Sequence, residues 1–223
     1  MMHQDTRITL WGRWVAANAV GEMLGLGTTL AAIALASSRL EGLPGAGYAL
    51  LMLLLAVASG GLEATLVGLA QWWAMHPWFP TITRRAWWVA TVAGALVAYL
   101  LGYLPSTLMS LGEDASQAPA VELPPWLVLL LAAGLGLVAG AVLSFAQWLV
   151  LRKHAARAGW WVPAHMLAWL IGMPIIFWGI DLAQAGRPLA QTVGLLAGCL
   201  LLTGAVVGAI HGMVLVVLVS RRR

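Results

Sequence analysis

Gly140-Ala-Val-Leu-Ser-Phe-Ala-Gln147-Trp148 has two counterparts in its own chain, Ala64-Thr-Leu-Val-Gly68-Leu-Ala-Gln71-Trp72 and Gly204-Ala-Val-Val-Gly208-Ala-Ile-His211-Gly212. Each string is rich in small residues and carries a polar side chain at its eighth position. A second motif recurs at a matching interval. Trp14-Val15-Ala16, Trp88-Val89-Ala90 and Trp161-Val162-Pro163 lie 74 and 73 residues apart, and Trp11, Trp87 and Trp160 precede them at short range. Self-similarity at a fixed period is an architectural signal. It predicts three units, at about 11–75, 86–151 and 160–219, each a tryptophan-led helix followed by a glycine-rich one.

The setting of these helices follows from composition. The chain is 61% hydrophobic and 9% charged, with a mean hydropathy of +0.89. A soluble domain carries about 25% charged residues. Six apolar stretches, roughly 11–36, 48–75, 86–108, 126–151, 160–183 and 190–219, each suffice to cross about 30 Å of hydrocarbon as a helix. Helices are required because lipid offers the backbone no hydrogen-bond partner. The expectation is an all-α membrane protein, six transmembrane helices in three parallel two-helix repeats, forming one bundle over 1–223. Ala34-Leu35-Ala36 imitates a signal-peptidase site, but the run before it is too long and contains Asn18 and Glu22, so this span reads as retained.

Charge placement predicts orientation. Arg7, Arg13, Arg84, Arg85, Arg152, Lys153, Arg157, Arg221, Arg222 and Arg223 flank one face if there are six spans. Arg39 and Arg187 flank the other, beside Glu41, Glu113, Asp114 and Glu122. By the positive-inside rule both ends of the chain are expected to be cytoplasmic. The net charge of +4 therefore points to topology, and no nucleic-acid partner is expected. Most tryptophans also map to the cytoplasmic interface, with Trp126, Tyr99 and Tyr103 toward the outer side, which reads as an aromatic belt. Its one-sidedness leaves open an aromatic surface for a lipid, a pigment or a neighbouring subunit.

Packing and kinks can be read as well. Gly136 and Gly140, Gly204, Gly208 and Gly212, Gly194 and Gly198, and Gly21 and Gly25 sit at four-residue spacing, which lets helix backbones approach in lipid. This predicts the glycine-rich helices at the centre and the tryptophan-led ones outside. An external loop is expected over about 105–125, and Pro174 is expected to kink the fifth span.

Polar residues within the spans carry what chemistry there is. Asn18 and Glu22 share a helix face, and Glu63 lies near mid-membrane. No Lys or Arg lies at their depth, and a charged carboxylate there costs about 2.5 kcal/mol or more. The pair should face protein or a hydrated cavity, at least one carrying a proton, either by sharing that proton between them or by hydrogen bonding from Asn18, Thr65 or His165. The cluster Asn18, Glu22, Glu63 and His165 reads as a structural network or as a proton or cation path. Gln71, Gln147 and His211 occupy equivalent positions and should form a polar level around a pseudo-threefold axis. His165 and His211 could hold a haem or chlorin from facing helices, so the cofactor stays undetermined. Cys199 is the only cysteine, which leaves no disulfide or thiolate site, and His76 and His154 read as loop residues.

The string from Gly140 through Gln147-Trp148 to Arg152-Lys153, followed by Ala158-Gly159-Trp160-Trp161-Val162, resembles uncharacterised bacterial multi-span membrane proteins. In those a Gln-Trp helix end, a basic turn and a double tryptophan recur. In the third copy His211 replaces the glutamine and Gly212 the tryptophan. The resemblance implies a bacterial inner membrane and no particular activity. No nucleophile elbow, phosphate loop or zinc helix is present, so an enzyme is not expected. The reading is a small non-enzymatic subunit of a larger membrane complex, in contact with the bilayer and with other membrane-protein subunits. The alternatives are a transporter or channel for protons, cations or a small solute that uses the glutamates, and a pigment- or haem-binding subunit.

Overall fold

The computed structural model describes residues 4–40, 45–111, 123–183 and 186–219. They form six helices: α1 (Gln4–Leu40), α2 (Gly45–Met75), α3 (Arg84–Leu111), α4 (Pro125–Leu151), α5 (Trp161–Ala183) and α6 (Leu189–Val219). All six are long and apolar enough to cross a membrane. The protein is an all-α, multi-pass membrane protein. Several helices outrun the bilayer: α1, with 37 residues, is about 55 Å long at 1.5 Å per residue.

Local chemistry sets the helix boundaries. Thr83 caps α3, its hydroxyl oxygen accepting from the Ala86 amide at 3.2 Å, the usual remedy for an orphan N–H at a helix start. Pro124 and Pro125 open α4, with the Pro124 carbonyl receiving the first amides; proline suits this position because its missing N–H would be unbonded anyway. The turn between α4 and α5 bends at Arg157, which adopts the left-handed conformation with φ 62°. It leads into a single 3-10 turn, Ala158–Trp160.

The helices form a closed ring. Each packs against its neighbours in chain order, and α6 closes on α1. This corrects the expectation that the glycine-rich helices α2, α4 and α6 meet at the centre. They alternate with α1, α3 and α5 around a central space. The close-packing glycines serve the seams of the ring instead. A Cβ at Gly140 would stand 2.6 Å from the His165 carbonyl oxygen, and one at Gly204 would stand 2.5 Å from that of Asn18. The α4–α5 and α6–α1 backbones are therefore in contact, as small residues allow in lipid. Gly194 and Gly198 have nothing within 4 Å, so their part of the zipper packs on no helix of this chain.

The expected external loop is shorter than its prolines suggested. Helix α3 continues through Pro105 to Leu111. Just beyond it, the hydroxyls of Ser106 and Thr107 both donate to the Tyr103 carbonyl at 2.9 Å. Residues 112–122 of that loop lie outside the described residues, as do Glu41 and Arg221 to Arg223. Pro174 lies within α5.

The ring is blocked at one end. Leu10, Trp14, Met75, Phe79, Trp87, Leu151, Trp161 and Leu215 belong to one buried cluster, to which the 76–83 and 152–160 connections contribute. Arg13, Arg84, Arg85, Arg152, Lys153 and Arg157 gather at this end. The Arg13 guanidinium lies over the Trp73 ring at 4.3 Å and donates to the Trp73 carbonyl.

Candidate functional site: a cavity above a tryptophan plug

The plug is built around three indoles. Trp14, Trp87 and Trp161 are wholly buried. They meet edge to face in a triangle, with centroids 6.3 Å apart for Trp14–Trp87, 5.8 Å for Trp14–Trp161 and 6.1 Å for Trp87–Trp161. Such pairs are worth about 0.5–1.5 kcal/mol each beyond burial. These side chains therefore do not belong to the aromatic belt assigned to them from sequence. Trp73 and Trp160, by contrast, are exposed at that end. The trio also corrects the register of the second unit. The side chain in the triangle is Trp87, whereas Trp88 points aside to donate to the Thr65 hydroxyl at 3.1 Å.

Each buried indole donates its N–H to a polar side chain on the helix that precedes it around the ring. Trp87 reaches Gln71 Oε1 at 3.2 Å, Trp161 reaches Gln147 Oε1 at 3.1 Å, and Trp14 reaches His211 Nδ1 at 2.7 Å. One turn above the indoles, on their own helices, stand Asn18, Thr91 and His165. Gln71 donates to Asn18 Oδ1 at 2.8 Å, and Gln147 donates to the Thr91 hydroxyl at 3.0 Å. His211 stacks on His165, with centroids 4.1 Å apart and planes 8° from parallel. Gln147 also donates to Gln71 Oε1 at 3.0 Å, so α4 and α2 touch through these side chains. Hydrogen bonding sets both imidazole tautomers. Nδ1 of His211 accepts, and Nδ1 of His165 donates to the Trp161 carbonyl at 3.2 Å. Two imidazoles stacked face to face leave no room for a macrocycle between them, so the facing-helix haem or chlorin arrangement does not fit.

This polar layer floors a cavity of about 400 Å³ lined by residues from all six helices. From the floor it runs away from the plug, past Glu22, Glu63 and Trp169, to Ser106 and Ile180 near the far ends of α3 and α5. Asn18, Glu22, Glu63 and His165 all line it and are buried, as are Gln71, Gln147 and His211. The structure thus brings together every site residue singled out from sequence. The hydrogen-bond partners expected for the glutamates are committed elsewhere. Asn18 serves Gln71 and the Trp14 carbonyl, Thr65 serves the Gly61 carbonyl and Trp88, and His165 serves Trp161. Glu63 instead takes its hydrogen bond from the Tyr99 hydroxyl. Glu22 Oε2 is buried with no hydrogen-bond partner among the described residues.

Sequence reasoning missed Thr91, Tyr99, Tyr103 and Trp169. Thr91 was findable, because it follows Trp87 by four residues as Asn18 follows Trp14 and His165 follows Trp161. Aligning on Trp88 placed Val92 in that slot. Tyr99 and Tyr103, expected near the outer rim, stack on one another at 6.0 Å and line the cavity. Among the described residues no group of three or more His, Cys, Asp or Glu side chains could hold a metal ion. No known protein family matches the sequence, and no curated protein or solved structure matches it.

Proposed function

We propose that this chain is a non-enzymatic membrane protein that binds a small, mainly apolar solute within its helix ring, a transporter-type role. The observation that carries this reading is the cavity itself. It has apolar walls, a few converging polar groups and one carboxylate oxygen without a partner, which is the usual make-up of a ligand site. The tryptophan plug argues against a continuous ion pore, since its three rings fill the axis at the basic end. The motives for a subunit role are mostly used within the chain: its glycines close the ring and three of its tryptophans form the plug. Gly194 and Gly198, with open space beside them, are the feature that favours a partner helix on α6.

One preparation tests both readings. Native mass spectrometry of the protein released from mild detergent should show the chain carrying an adduct smaller than a phospholipid. Ala139 lines the cavity, and Ala139→Trp should abolish that adduct. A chain without adduct that co-purifies with other membrane proteins would replace the solute reading with the subunit one.

The same reading places the basic end in the cytoplasm of a bacterial cell, with the cavity extending toward the outer face. A cysteine at position 80 should be shielded from membrane-impermeant maleimide in intact cells, and one at position 115 should be labelled. The reverse pattern would invert the protein.

A further inference from the structure

The cavity is uneven in a way that specifies its occupant. Among the described residues its lining includes two acidic side chains and no Lys or Arg. An anionic solute would meet two carboxyl groups and nothing to neutralise it. Glu22 is 3% exposed, and its Oε2 has no hydrogen-bond partner among the described residues. A buried oxygen of this kind is costly until a donor reaches it, and a charged N–H donor gives the stronger bond. Glu63 already accepts from Tyr99. Two carboxyl groups that share one proton and hold one monocation make a neutral site, the state that hydrocarbon surroundings favour.

The cation is organic. Hard metal ions take about six or more oxygen ligands, and this level offers the two carboxyl groups with only the Tyr99 and Thr29 hydroxyls beside Glu63. An ammonium needs only three acceptors. Tyr99, Tyr103 and Trp169 line the cavity near this level, and aromatic faces attract such a cation. By helix rise, Glu22 sits about 6 Å above Asn18 and Glu63 about 12 Å above Gln71. The carboxyl groups thus stand at mid-cavity, with apolar wall beyond them toward Leu30, Ile176 and Ile180. The charged head belongs between Glu22 and Glu63, and the hydrocarbon body along that wall.

We propose that the cavity takes a small lipophilic monoamine, its ammonium group held by Glu22 and Glu63 and its apolar body against Trp169 and the aliphatic wall. This rests on the solute-binding reading above and narrows it to one chemical class. The test is isothermal titration of the full-length protein in zwitterionic nanodiscs with 2-phenylethylamine, 2-phenylethanol and 3-phenylpropionate, subtracting heats from empty discs. The amine should bind at least about tenfold more tightly than the alcohol, about 1.4 kcal/mol, and the carboxylate should not bind. Glu22→Gln should bring the amine to the level of the alcohol and leave the alcohol unchanged. If that variant does not fold, Glu63→Gln, which keeps an acceptor for Tyr99, should weaken the amine selectively. Equal binding of amine and alcohol, or binding unaffected by either substitution, would overturn the amine proposal while leaving a solute cavity in place. Preference for the carboxylate would overturn it too. Binding of none of the three would also overturn it, and the adduct experiment would then decide separately whether the cavity binds a solute at all.

Discussion

The plug and the cavity above it are lined from the same helices, yet they differ in symmetry. In the plug the indole-to-acceptor bond holds three times, and each acceptor goes on to the side chain one turn above the next indole, by a hydrogen bond twice and by the His211–His165 stack once. Eight residues beyond each buried indole the likeness ends. Glu22, Ala95 and Trp169 occupy that level on α1, α3 and α5, and all three line the cavity. Eight residues before the acceptors stand Glu63, Ala139 and Thr203. Both carboxyl groups therefore lie on the α1–α2 side, with Tyr99 beside them. Where the pattern repeats, the chain is closing a ring; where it lapses, the chain is lining a cavity.

Two substitutions probe that contrast, the larger first. Trp87→Ala should lower stability by about 3–5 kcal/mol, the range for emptying a buried aromatic site, and it also leaves Gln71 Oε1 without its indole donor. Trp88→Ala, one residue away, should cost well under half as much. Reversible unfolding in mixed micelles measures both. Equal losses would mean that the triangle is not the closing element and that the register Trp14, Trp87, Trp161 is wrong.

The smaller effect is Thr91→Val, which removes the acceptor for one Gln147 hydrogen bond. In membrane proteins such bonds average about 0.6 kcal/mol, so the loss should be near that value by the same unfolding measurement. Gln147 keeps its bonds to Gln71 and Trp161. A loss of several kcal/mol would show the polar layer acting as one cooperative unit, which would sharpen its contrast with the walls above.

The six spans were legible because apolar length leaves a continuous mark in sequence. The burial of Glu22 and Glu63 was legible for an energetic reason: a carboxyl group in lipid is too costly to face outward. The equivalence of Gln71, Gln147 and His211 was visible from the strings around them. What escaped depended on direction. Glycine spacing shows that backbones approach but not which helix they approach, so an alternating ring was read as a central cluster. Two adjacent tryptophans point about 100° apart on a helix, and sequence alone did not show whether Trp87 or Trp88 turned inward. That single residue concealed Thr91. Tyr99 was placed by depth alone, and depth cannot separate a rim-facing ring from one that turns inward to a carboxyl group.

The seam between α6 and α1 has a consequence of its own. Five of the six neighbour relations join consecutive helices, but this one joins segments with the rest of the chain between them. It is nevertheless among the most extensive contacts in the ring, with the Trp11 indole donating to the Ala209 carbonyl at 3.1 Å and the Trp14 indole to His211. The wall is therefore continuous where the backbone is not. Each connection supplies proximity rather than strength, and the structure has no mechanically privileged first helix. Like a barrel hooped from staves, it holds its shape by the fit of every edge to the next.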